Sequence, residues 1–268
     1  MSHTHPRAQA KADAQAAIDA ADAALASGAV AEAEWQRRVT DALAGSYLRE
    51  DDPRWQSGFD GDPELWRQAR AVVLDAVPRG GTLLDVGCAT GHLMECLAAW
   101  AAERGLPLTV HGLELNPALA AAARRRLPAW ADRIYTGNVS DWRPPLRFDY
   151  VRTGLEYAAP GRGPALIARL LAEAVAPSGR LIVGPVYERD VQATVAAFGA
   201  AGVAEPGVVS AADRNGKVRA VVWAAPVRSR AGAAERGVAG DAYAPQGGRP
   251  YRGLRRHASS LPDSARLN

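Results

Sequence analysis

The sequence predicts an α/β fold: a parallel sheet with helices on both faces, whose last strand turns antiparallel. Three observations predict it. From Thr82 onward, short β-rich runs alternate with helical stretches, the pattern of strand–helix–strand crossovers. The first run ends in a turn bounded by Gly87 and Gly91 that leads into an apolar helix, where open α/β sheets place their ligands. Near the end, Asn215-Gly216 separates VVSAAD from KVRAVVWAA, a strong hairpin signal that makes the final pair antiparallel.

Taken in order, residues 7–44 are rich in Ala, Asp, Glu, Gln and Arg. Ile18, Ala21 and Leu25, then Trp35, Val39 and Leu43, fall at helical spacing, so two helices broken near Ser27-Gly28 are expected. Residues 45–62 read as a loop carrying Tyr47, Trp55 and Phe59. Asp62-Pro63-Glu64 opens a helix with an N-cap, a first-position proline and an acid in the first turn, and this helix runs to about Ala76. Strands are expected at 82–87, 108–114, 133–137, 148–153, 180–186, about 206–211 and 217–225, with helices at 91–104, 117–127, 163–176 and 189–201. Residues 227–268 are Gly-, Pro-, Ser-, Ala- and Arg-rich without apolar periodicity and read as a disordered basic tail. The expected division is a helical cap or lid at 1–62, a ligand-binding domain at 63–226 and the tail.

With 268 residues, 48% hydrophobic and 23% charged, the chain can bury an ordinary core without staples. Two cysteines, Cys88 and Cys96, exclude a disulfide framework and a zinc cluster, and His3 and His5 have no further ligand nearby, so no metal is expected. No apolar run approaches the roughly 20 residues of a membrane span. The first residues lack the apolar stretch of a secretory signal, so a cytoplasmic protein is expected. The net charge of +3 belongs to the tail, whose eight arginines face three acids; residues 1–226 are mildly acidic, which points away from a nucleic-acid groove.

The chemistry centres on Leu83–Leu93, LLDVGCATGHL. Its glycines permit tight turning and close backbone approach, and the helix that follows offers unpaired N–H groups. A dinucleotide site wants G-x-G-x-x-G, whereas the spacing here is G-x-x-x-G. Asp85, two residues earlier, would repel a pyrophosphate but suits an ammonium group. A Walker loop needs G-K-[ST], and this chain has Gly91-His92-Leu93.

The pattern hhDVGCxTG resembles motif I of the class I S-adenosylmethionine (SAM)-dependent methyltransferases, small-molecule bacterial type. Further features follow in the family's order: Glu114 in HGLELNP, Asn138 in YTGNVSDW, FDYVRTGLEY like the motif IV region, LIARLLAEAVAPSGRLIVG, and the closing hairpin. The resemblance covers about residues 64–226. It implies a Rossmann-like doubly wound seven-stranded sheet with SAM across the ends of the first two strands. Asp85, Gly87, Cys88, Ala89 and Gly91 would surround its methionine half, with Thr153 trailing the fourth strand toward it. Glu114 would take the ribose, and Leu115, Asn138 and Val139 the adenine, with Asp141 competing with Asn138. The [DN]-P-P-[YF] signature of enzymes that methylate base amino groups is absent; Trp142-Arg143-Pro144-Pro145 precedes the fourth strand instead of ending it.

The activity so implied is methyl transfer to an O, N or C atom of a small-molecule acceptor, in the setting of specialised metabolism, with homo-oligomerisation left open. Glu156 and Tyr157, with His92 behind them, are the candidate bases. Tyr47, Trp55 and Phe59 suit an apolar acceptor or a sulfonium, or else pack the N-terminal helices onto the sheet. Cys88 and Cys96 read as packing residues and His111 as structural. Two other readings stand beside this one: an RNA or protein methyltransferase using the arginine tail, and a non-catalytic SAM-binding regulator. The glycine spacing disfavours an NAD-dependent dehydrogenase.

Overall fold

In a computed structural model the described residues are 6–226; the tail at 227–268, His3 and His5 lie outside them. The chain begins with helices α1 (Pro6–Ala26) and α2 (Glu32–Tyr47), which pack on each other. The turn between them needs Gly28, at φ +74°. Trp35 is buried against Ala21 and Ala159, and its Nε1 donates to Asp22 at 2.6 Å. The apolar positions at helical spacing thus join α1 and α2 to a turn far along the chain.

Helix α3 (Pro63–Arg70) starts where its cap requires, with Asp62 accepting from the Leu65 N–H at 2.9 Å. The helical stretch expected to reach Ala76 does so as a 3-10 turn over Ala71–Ala76. Beyond it come β1 (Gly81–Val86), α4 (His92–Glu103), β2 (Leu108–Glu114), α5 (Pro117–Arg126), β3 (Ile134–Thr136), β4 (Phe148–Thr153), α6 (Gly163–Glu173), β5 (Val175–Tyr187), α7 (Val191–Ala200), β6 (Gly207–Ala212) and β7 (Val218–Ala224). The sheet order is β3-β2-β1-β4-β5-β7-β6. β7 runs antiparallel to both β5 and β6, and the other neighbours are parallel. The Rossmann-like doubly wound sheet with an antiparallel last strand is therefore present.

Side-chain alternation explains why the central strands read as continuous apolar runs. Leu83, Tyr150, Ile182 and Val221 enter one core with Trp66, Leu74 and Leu97. Their chain neighbours Leu84, Val151, Leu181 and Val222 enter the other with Ile167, Leu170 and Phe198. β5 begins five residues earlier than expected: Val175 pairs with Phe148, the register shifts, and Arg180 pairs with Tyr150. The hairpin loop is Arg214-Asn215-Gly216, closed by Asp213 N–H to the Lys217 carbonyl at 3.0 Å, with Gly216 at φ +73°. Because the order reverses at β1, a crevice opens at the carboxyl ends of β1 and β4. Among the described residues no helix is long and apolar enough to cross a membrane, and no group of side chains could hold a metal.

Candidate functional site

A cavity of about 800 Å³ lies at that crevice, bounded by the carboxyl ends of β1, β2 and β4 and roofed by α1 and α2. Its floor is the turn after β1. Gly87, Ala89 and Gly91 have φ of 72°, 48° and 79°, all left-handed. The Gly87 and Cys88 N–H groups donate to the Leu113 carbonyl at 2.8 and 3.2 Å, which ties the turn to β2. Glu114, at the end of β2, braces it further: one oxygen accepts from Ala89 N–H at 2.8 Å and the other from Asn116 N–H at 2.9 Å. Burial raises the Glu114 pKa, and these backbone donors oppose the shift.

Asp85 has no exposed surface. Its Oδ1 accepts from Arg152 Nη1 at 3.1 Å, while its Oδ2 has no hydrogen-bond partner among the described residues. Burial raises the Asp85 pKa, against the pull of Arg152. Arg152 projects from β4 and also donates through Nε to the Gly184 carbonyl at 2.7 Å. Burial works against its charge, but the Tyr157 phenol and the Asp85 and Glu156 carboxylates hold its pKa above the ordinary value.

Tyr157 packs directly on the turn. A Cβ at position 87 would lie 2.2 Å from its Cζ, so close approach as well as backbone conformation demands glycine there. Burial pushes the Tyr157 phenol well up, so it stays protonated. Glu156, beside it, lines the cavity from an exposed position. Tyr47 reaches the cavity from the end of α2, and burial raises its phenol pKa too.

The roof is fastened by Gln36, which is 7% exposed. Its Nε2 donates to Asn138 Oδ1 at 3.4 Å, Ser140 Oγ at 3.3 Å and the Tyr157 carbonyl at 3.3 Å. In return Asn138 Nδ2 donates to Gln36 Oε1 at 2.5 Å. α2 is thereby joined to the turns after β3 and β4.

Of the residues singled out in the sequence, Tyr47, Asp85, Gly87, Cys88, Ala89, Glu114, Leu115, Asn138, Val139, Glu156 and Tyr157 line this one cavity. Gly91, His92, Thr153, Trp55 and Phe59 are not in its lining. Gly91 caps α4, and a Cβ there would lie 2.8 Å from Leu127 Cδ1. His92 stacks on Trp66 with centroids 5.0 Å apart, and its Nε2 lies 3.7 Å from Cys96 Sγ. Burial lowers its pKa. Thr153 is fully buried and donates to the Gly154 carbonyl at 3.2 Å. Phe59 meets Trp66 edge-on at 5.3 Å. Asp141 is exposed, leaving Asn138 as the polar side chain of that turn in the cavity wall. Cys88 is buried with its thiol pKa pushed up, as a packing residue would be. His111 bonds Tyr135 at 3.1 Å, away from the cavity.

Among the lining residues that the sequence reading did not single out are Gln36, Arg70 and Arg152. Of these three, only Arg152 left a signal, as a charge inside the otherwise apolar strand FDYVRT.

No family model and no curated protein matches the sequence. Solved structures do match. The [4+2]-cyclase SpnF aligns with a TM-score of 0.50 at 16% identity, over 72% of this chain and 96% of that one. The 1,6-didemethyltoxoflavin-N1-methyltransferase of Burkholderia thailandensis, with bound 1,6-didemethyltoxoflavin and S-adenosylhomocysteine, gives 0.48 at 20% identity, over 72% and 89%. A TehB-like SAM-dependent methyltransferase from Corynebacterium glutamicum gives 0.40 at 19%, over 68% and 98%. The SpnF alignment and the strand order agree on the fold.

Proposed function

We propose that this chain is a SAM-dependent methyltransferase that modifies a small-molecule acceptor in the cytoplasm, beneath a cap formed by residues 1–62. The observation that carries the reading is Asp85: a fully buried carboxylate whose Oδ2 has no partner among the described residues, in the wall of a cavity floored by a glycine turn. A buried unpartnered acceptor is costly, and an ammonium group would satisfy it where a pyrophosphate would be repelled. Glu114 fits the same ligand, since each of its oxygens holds one N–H and retains capacity for a hydroxyl.

When bound, SAM supplies a methyl group made electrophilic by the adjacent sulfonium. In this reading Asp85 holds the ammonium, Glu114 the ribose hydroxyls, and Leu115, Asn138 and Val139 border the adenine. The turn backbone at Gly87, Cys88 and Ala89 flanks the methionine part. Aligning an acceptor with the methyl group is mainly proximity and orientation. Tyr157, held protonated, donates a hydrogen bond and positions the acceptor. Glu156 takes the proton that an oxygen or nitrogen acceptor must lose. His92, turned toward Trp66 and Cys96, has no part in this step.

The cavity, about 800 Å³, lies in the upper part of the roughly 300–1,000 Å³ range of small-ligand sites, so a small acceptor fits beside a cofactor. The toxoflavin enzyme, by its name, acts on such a molecule. The cyclase shows that a fold does not by itself fix the chemistry, so the test must separate binding from turnover. Calorimetry with S-adenosylhomocysteine and with NADH comes first; saturation by NADH alone overturns the reading. Incubation with methyl-labelled SAM and cell extract comes next, with mass spectrometry seeking a product heavier by one CH₂ group. Cofactor binding without any such product would favour the regulator reading.

A further inference from the structure

We propose that Arg70 forms a carboxylate-binding subsite within the cavity. The carboxylate is either the one on the cofactor's amino-acid end or one carried by an acidic acceptor. The subsite deepens the cofactor reading in the first case and stands apart from it in the second.

Arg70 closes α3 and lines the cavity. Its guanidinium lies over the Trp66 ring at 5.1 Å and the Phe59 ring at 5.5 Å. Those contacts supply no hydrogen-bond acceptor of the usual kind. Among the described residues it makes no hydrogen bond or ion pair, so five N–H donors are left at the rim of the plane.

Four other arginines of the interior have acceptors, whereas the buried Arg219 has only the neighbouring Val218 carbonyl at 3.5 Å and the Tyr187 ring. Arg152 has Asp85 and the Gly184 carbonyl, Arg124 the Ile134 carbonyl, Arg126 the Thr90 carbonyl and Glu95, and Arg180 the Ala76 carbonyl. Arg70 alone among these is kept charged and unmatched. Burial, then repulsion from Arg152, lowers its pKa to about 10, which still leaves it cationic at neutral pH. Its place at the carboxyl end of α3 favours a cation there without any side-chain partner.

Among the described residues Arg70 has no anion bonded to it. Arg152 and the buried Arg219 both repel Arg70, and Asp85 is already bonded to Arg152. Glu156 attracts Arg70 but forms no hydrogen bond with it. A planar guanidinium near two aromatic rings, with its N–H donors unmatched, suits a planar carboxylate in bidentate fashion. With Asp85 and Glu156 close by, a monoanion fits better than a phosphate dianion.

The test compares wild type with Arg70→Gln and Arg70→Lys by calorimetry. The probes are S-adenosylhomocysteine, 5′-methylthioadenosine (which lacks the amino-acid end), and benzoate with and without saturating S-adenosylhomocysteine. If the cofactor supplies the carboxylate, Arg70→Gln weakens S-adenosylhomocysteine roughly 10- to 100-fold and leaves methylthioadenosine unchanged. If an acceptor supplies it, wild type binds benzoate, Arg70→Gln loses that binding, and S-adenosylhomocysteine is unaffected. In both cases Arg70→Lys recovers part of the affinity, and the Tm of Arg70→Gln equals or exceeds that of wild type, because an unmatched cation has been removed. The proposal is overturned if no probe distinguishes Arg70→Gln from wild type. It is also overturned if S-adenosylhomocysteine and methylthioadenosine weaken equally while Tm falls, which marks a structural role. Should wild type bind neither nucleoside, the cofactor reading fails by itself, and benzoate alone still decides on Arg70.

Discussion

At the residue scale, one pair of side chains under the cavity bears on ligand binding. Asp85→Asn keeps the shape and removes the charge, so affinity for S-adenosylhomocysteine should fall roughly 10- to 100-fold in calorimetry. Its stability should change little in denaturant unfolding, because burial already favours the uncharged form of this carboxyl and Arg152 keeps the Gly184 carbonyl. Replacing both at once, Asp85→Asn with Arg152→Met, should recover none of the affinity. The pH dependence follows from the same burial. The Asp85 and Glu114 pKa values lie above their ordinary 3.8 and 4.5, and the proposed reading needs both groups ionised for binding. Affinity should therefore decline on acidification while the pH is still above those ordinary values. Stability moves the opposite way: a carboxylate with a raised folded-state pKa stabilises the fold more below that pKa than above it. A calorimetric titration from neutral pH to about pH 5 checks the first sign and a Tm series the second. Asp85 stood out in the sequence as an acid two residues before a glycine turn, and Glu114 through the resemblance carried by HGLELNP. Arg70 did not stand out, since nothing in the spacing of PELWRQAR reveals that its last residue lacks a partner.

At the element scale, the sheet was legible almost strand for strand, because each central strand feeds two cores and must be apolar throughout. The miss at β5 has a local cause. Pro177-Ser178-Gly179 reads as a turn, and the structure passes it through the register shift opposite β4. The start of α3 was legible from its cap, and Asp62→Ala should lower stability by about 1 kcal/mol in urea unfolding. The loss extends beyond the helix end, since Asp62 also pairs with Arg214 of the closing hairpin. Where α2 docks was not legible: Gln36 and Asn138 are 102 residues apart, and no local pattern announces their contact. Gln36→Leu removes those bonds and leaves Asn138 and Ser140 without them, at roughly 1–3 kcal/mol. Hydrogen exchange should show the change as loss of protection concentrated in residues 32–47, with the sheet little affected.

At the scale of the whole molecule, charge separates the body from the tail. Deleting residues 227–268 removes eight arginines and three acids, so the remainder becomes mildly acidic. If the acceptor is a small metabolite, the truncated chain should keep its S-adenosylhomocysteine affinity and its Tm. An RNA enzyme would instead lose a salt-dependent affinity for RNA, visible as a shallower dependence of binding on ionic strength. The fold class was readable in advance because alternation, turn spacing and the hairpin signal all act locally, whereas a cavity roof of N-terminal helices fastened to turns far along the chain is visible only once folded. The roof also bears on kinetics. Gln36 grips Asn138 on one bank of the cavity and the Tyr157 backbone on the other, so a single glutamine clasps both. A molecule seated against Asn138 would have to arrive before that clasp shuts and could leave only after it opens. Order of entry, and the tempo of release, would then be set by how often an N-terminal hairpin lifts.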